Sequence, residues 1–119
     1  MARNYVNDRD ALPIWDRAAA LGRLGGDTQL LSELMEMLLD QIAEGITSLA
    51  EAIAREQAHE VEQIAHSLKG ASANMGAERF RECASQLEQI GRSGNLTGAS
   101  DVLARLQEEA QVLRQAFRS

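Results

Sequence analysis

A chain of 119 residues with net charge −6 fits one domain and lacks the basic balance of a nucleic-acid binder. Apolar residues make up 45% of it but aromatics only 3%, and Pro13 is the one proline, so the core has to come from aliphatic side chains on long helices. Cys83 has no second cysteine to pair with, which fits a reducing compartment, and no apolar run approaches the ~20 residues of a membrane span. A cytoplasmic location without direct membrane contact is the expectation.

Residues 1–11 are polar and aperiodic and read as a flexible tail, with 12–119 as the folded domain. Leu12 to Leu24 reads as a short helix with Trp15, Ala18, Leu21 and Leu24 on one side. Gly25-Gly26 ends it, and Asp27 or Thr28 can cap the next. From Thr28 to Arg55, Leu31, Leu34, Leu38, Ile42, Ile46, Leu49 and Ile53 recur in steps of three and four, with a bend expected at Gly45. A third helix follows the polar connection 56–58, carries Val61, Ile64, Ala65, Leu68, Ala71, Ser72 and Met75 inward, and closes at Gly76. A fourth, from Ala77 to Arg92, turns Phe80, Cys83, Ala84, Leu87 and Ile90 inward. After the turn at Ser93-Gly94-Asn95-Leu96, with Thr97 as cap, a fifth carries Val102, Leu103, Leu106, Ala110, Leu113 and Phe117. Four long amphipathic helices on short connections predict an all-α, up-down-up-down four-helix bundle with a short additional N-terminal helix.

At ~100° per residue, the apolar stripe of the third helix centres about 160° from His66, so the imidazole is expected in solvent. Gly70 lies one turn on, on the same exposed face, where glycine costs about 1 kcal/mol relative to alanine. Clearance for an approaching partner explains it, and Ala73 continues the small-residue patch. Lys69, the only lysine, puts a cation on the flank of the ring, able to neutralise a phosphoryl group or a partner's carboxylate.

Other readings of these residues are bland. His59, about 10.5 Å along the axis from His66, is too far to share a metal ion and reads as incidental surface. Cys83 and the methionines read as core filling. With two histidines that cannot converge and no nucleophile–base arrangement, a metal site or hydrolase is disfavoured, and a helical adaptor is the main rival to a phosphocarrier.

The segment from Ala65-His66-Ser67-Leu68-Lys69-Gly70 through Asn74-Met75-Gly76-Ala77 resembles the signature of histidine-containing phosphotransfer (HPt) domains of bacterial phosphorelays. Trp15-Asp16, Leu24-Gly25-Gly26-Asp27, Leu87-Glu88 and Gly91-Arg92-Ser93-Gly94 extend the similarity over most of the chain; residues 1–11 fall outside it. The resemblance implies that His66 takes a phosphoryl group from the aspartate of one receiver domain and passes it to another. It implies no ATP binding and no cofactor, since the metal and acidic pocket belong to the receiver; no phosphate-binding Gly-rich loop is present in the sequence either. A monomer is expected, and both a stand-alone shuttle and a domain of a larger sensor kinase fit.

Glu88, 22 positions after His66, has two readings. The resemblance implies a ring-orienting group that would fix the tautomer of the imidazole. Spacing alone allows a solvated acid paired with Arg92 at i+4. Arg92 itself is a candidate for phosphate or partner contact, as Ala73 is for docking.

Overall fold

The structure, a computed structural model, describes residues 11–118; the tail expected over 1–11 lies outside them except for its last residue. Among the described residues there are five helices and no strand: α1 (Arg17–Arg23), α2 (Thr28–Ala54), α3 (Ala58–Asn74), α4 (Glu78–Ser93) and α5 (Ala99–Arg118). Each long helix packs on the next in the chain, and α2 closes the ring against α5. The core is a single cluster in which Leu31, Ile42, Leu49, Val61, Leu68, Phe80, Leu87, Leu106 and Leu113 are almost wholly buried. No helix among the described residues is long and apolar enough to cross a membrane.

The short helix begins later than the sequence predicts. Asp16 caps it by accepting from the Ala19 N–H at 3.0 Å, which leaves 12–15 outside the helix as a non-helical lead-in. The shift turns the inward face, so Ala20 is buried while Ala18 is exposed. This segment closes one end of the bundle through the last turn of α3, whose terminal carbonyls lack partners within the helix. Trp15 Nε1 donates to Met75 O at 3.0 Å, Arg23 Nη1 to Asn74 O at 2.9 Å, and the Asp16 N–H to Gly76 O at 2.8 Å. The edge of Trp15 also meets Phe117 of α5, with ring centroids 4.7 Å apart.

Asp27 is the α2 cap, accepting from Leu30 N at 3.0 Å. Thr97 is not the α5 cap: its N–H and hydroxyl both donate to Asn95 Oδ1, and the helix starts after Gly98 at φ +85°. An asparagine that folds back on its own turn competes with the capping role expected of the threonine. Nor are all methionines core: Met37 is 64% exposed.

Two glycines inside helices set interhelical distances. A Cβ on Gly45 would lie 2.9 Å from Leu68 Cδ1, so this glycine makes room for a leucine of α3. A Cβ on Gly91 would lie 2.6 Å from the backbone N of Glu62 and 2.9 Å from Ala58 O. At that point α3 and α4 touch backbone to backbone.

Candidate functional site

The close approach at Gly91 determines what surrounds His66. Glu88 lies three residues earlier on the same side of α4, and its side chain is brought under the outer edge of α3. His66 stays exposed, with 65% of its side chain open to solvent, whereas the Glu88 side chain is 3% exposed. His66 Nδ1 sits 2.7 Å from Glu88 Oε2. Lys69 Nζ lies 2.6 Å from Glu88 Oε1, and Arg92 Nη2 donates to Oε2 at 2.9 Å. Arg92 Nε also donates to Glu62 Oε2 at 2.9 Å, tying α4 to α3 one turn before the histidine.

Glu88 therefore meets both of its sequence readings in part. It does pair with Arg92, but it is buried and has the imidazole on the same oxygen. The acid was ambiguous because a helical wheel describes one helix, and Glu88 becomes a neighbour of His66 only through the α3–α4 contact.

The charge state of the pair follows from its partners. The Lys69 hydrogen bond holds the Glu88 carboxyl below its ordinary value of 4.5, opposed by burial and helped by the His66 bond and by both charges. An ionised carboxylate can only accept hydrogen bonds, so Nδ1 carries the proton directed at Glu88, and in the neutral form of the ring Nε2 is the nitrogen that holds the free lone pair. Glu62, first, and Glu88 hold the Arg92 guanidinium more firmly protonated than usual.

A carboxyl whose folded value lies below its unfolded one stabilises the fold above pH 4.5 and loses that contribution as pH falls through the folded value. Replacing Lys69 by Met removes the largest cause. The expected result is a lower Tm at neutral pH and a shallower fall in Tm between pH 5 and 3, read by circular dichroism melts. An unchanged acid limb would contradict this assignment of the Glu88 charge.

The other expected residues fall into place around the ring. Nothing lies within 4 Å of a Cβ built on Gly70, so its lack of a side chain serves no packing inside the domain. Ala73 is half-buried, and its carbonyl accepts a long bond from Arg23 at 3.4 Å. Lys69 and Arg92 are brought together on Glu88 rather than standing free. His59 lies on the far side of the cluster, 3.8 Å from Glu62 and 80% exposed. Cys83 is buried. Among the described residues no group of three or more His, Cys, Asp or Glu is placed to hold a metal ion.

Two features escaped the sequence reading. Gly91 appeared only as part of a turn-like run, although a glycine one turn inside the end of a helix already signals a close approach. Glu109, buried and paired with Arg79 at 2.9 Å, sits between Leu106 and Leu113 at a spacing that marks an inward position.

The family model of the Hpt domain matches residues 33–116. Among solved structures, the chain is similar to the crystal structure of histidine-containing phosphotransfer protein B (HptB) from Pseudomonas aeruginosa PAO1. The TM-score is 0.83, with 25% sequence identity over 89% of this chain and 92% of that one. No curated protein matches the chain. An all-helical bundle matched by the family model over most of its length places the chain in the Hpt family, the domains that carry out histidine phosphotransfer in phosphorelay signalling.

Proposed function

We propose that His66 is the phosphoryl-accepting residue and that the domain relays the group between aspartates of two receiver domains. The observation that carries this reading is the pairing of an exposed imidazole with a buried, ionised Glu88 at Nδ1. Nε2, which holds the free lone pair of the neutral ring, attacks the phosphorus of an aspartyl phosphate. The N–P bond forms as the P–O bond to aspartate breaks, and the aspartate leaves as a carboxylate. The ring gains positive charge while keeping its Nδ1 proton, and Glu88 stabilises that charge where it develops. The return step reverses these bonds onto the second receiver's aspartate.

Gly70 leaves the approach to Nε2 clear, and Lys69 above all keeps Glu88 ionised. The remaining positioning and charge stabilisation are supplied by the receiver, which makes this domain a carrier without autokinase machinery that works as a cytoplasmic monomer. The test is incubation with a receiver domain phosphorylated on aspartate, followed by mapping of the label. Acid-labile, base-stable phosphate on the His66 peptide is the expected result. Label on another residue, or none from any receiver, would overturn the reading.

A further inference from the structure

We propose that the groove between the C-terminal half of α4 and the first turns of α5 binds a small organic oxyanion, a carboxylate or phosphate on an apolar body, gripped by Arg105. The groove measures about 590 Å³, within the range of small-molecule sites. Ile90 of α4 and Val102 of α5 give it an apolar part, and Gln86, Gln89, Asn95 and Arg105 line it with polar side chains. At 100° per residue, its α4 residues centre about 150° around the helix from Glu88. It therefore opens on the opposite side of α4 from His66 and is independent of the carrier role.

The observation that carries the proposal is the state of Arg105, which is half-buried. Its Nη2 donates to Gln86 Oε1 at 3.4 Å, longer than an ordinary N–H···O bond, and its Nε is buried with no partner. Among the described residues no carboxylate lies within ion-pair distance of it, although Asp101 and Glu108 stand one turn away on α5. By contrast Arg79, half-buried at the same α4–α5 interface, has Glu109 at 2.9 Å. Nε and Nη2 form the edge of a guanidinium that grips a carboxylate or phosphate through two parallel bonds. In Arg105 that edge holds one long contact to a neutral amide. A buried donor without a partner is destabilising, and an oxyanion seated on this edge removes the cost.

The rest of the groove suits the same ligand. None of its lining residues is acidic, in a chain with 18 acids and a net charge of −6. Asn95 accepts from the N–H and hydroxyl of Thr97 through Oδ1, which fixes the amide and leaves its NH2 to donate. Gln86 and Gln89 carry further N–H donors. A glutamate at position 86 would close the Arg105 edge with an internal ion pair. The glutamine there makes only a long bond, which an anion can displace. Ile90 and Val102 cover an apolar body, as in sites where a few polar groups orient a mostly apolar ligand.

The test titrates the full chain with phenyl phosphate, benzoate and, as a neutral control, benzamide, followed by nitrogen-15 spectra that include the Arg105 Nε–H. Saturable shifts at Gln86, Gln89, Asn95 and that Nε–H are expected with one or both anions, at a Kd of about 1 mM or tighter, and none with benzamide. The tighter anion identifies the head group. Arg105→Gln should weaken binding roughly ten-fold or more, the scale of one lost charge-assisted pair. Gln86→Glu should abolish binding while the melting temperature stays at or above the parent value, because the new carboxylate takes the Arg105 edge itself. That variant separates loss of binding from loss of folding. Shifts that do not saturate, shifts equally large with benzamide, or unchanged binding in Gln86→Glu would overturn the proposal. So would saturable shifts centred on His66 and Lys69, since the anion would then sit at the phosphoryl site.

Discussion

A His66→Gln variant is expected to accept no phosphate from any receiver, and Glu88→Ala, with His66 intact, to accept it roughly 10- to 100-fold more slowly. The second figure is the scale of loss when a partner that fixes a histidine's tautomer and orientation is removed. The physical reason is the shared oxygen contact. Glu88 Oε2 lies 2.7 Å from Nδ1, and the same carboxylate balances Lys69 and Arg92. Without it the ring loses its orientation, the Nδ1 tautomer loses its preference, and two cations are left beside a ring that becomes positive during transfer. Nitrogen-15 spectra of the imidazole should show a mixture of tautomers in Glu88→Ala where the parent shows one. Glu88→Gln can still accept from Nδ1 through its amide oxygen but carries no charge, so it should fall between the parent and Ala. If Glu88→Ala transfers at the parent rate with an unchanged tautomer, the carboxylate is only structural.

The largest expected loss of stability comes from a single methyl group. Gly91→Ala would place Cβ 2.6 Å from one backbone atom of α3 and 2.9 Å from two others, and no rotamer change can relieve that. Overpacking costs about 1–3 kcal/mol, and contact with backbone favours the upper end. Alanine's better helix propensity returns about 1 kcal/mol, leaving a net loss of about 2 kcal/mol. For a domain of this size that lowers Tm by roughly 8 °C. Separating α3 from α4 also draws Glu88 away from His66, so transfer should slow with the melting temperature. Gly70→Ala has the opposite sign for stability. Nothing lies near its Cβ, so Tm should rise by roughly 4 °C, the equivalent of about 1 kcal/mol. Thermal melts of the two variants side by side check both: equal shifts would mean that the close contact at Gly91 is not rigid.

The helices of the bundle and the exposure of His66 were legible in the chain because apolar periodicity is a local property. Leu31, Leu38, Ile42 and Leu49 mark the buried side of α2 without any knowledge of what covers it, and the wheel of α3 places His66 away from its own stripe. Gly70 was legible for the same reason: a glycine on an exposed helical face needs an explanation from outside the helix. The start of α1 was not, since Asp16 competes with Leu12 as the first turn and the outcome depends on Trp15, Asp16 and Arg23 reaching the end of α3.

The environment of His66 was decided only by tertiary structure. Glu62 looks like an ordinary helix-surface acid in sequence, and the periodicity of α4 alone does not bring Glu88 or Arg92 to His66. Gly91 lets two backbones approach until Glu88 of α4 reaches the imidazole, 22 residues away in the chain, with Lys69 and Arg92 on the same carboxylate and Glu62 on Arg92. Sequence by itself determined which residue faces solvent, because that follows from the period of one helix. Which nitrogen of it is left free to react depends on a carboxylate from another helix, and that is a matter of interhelical distance.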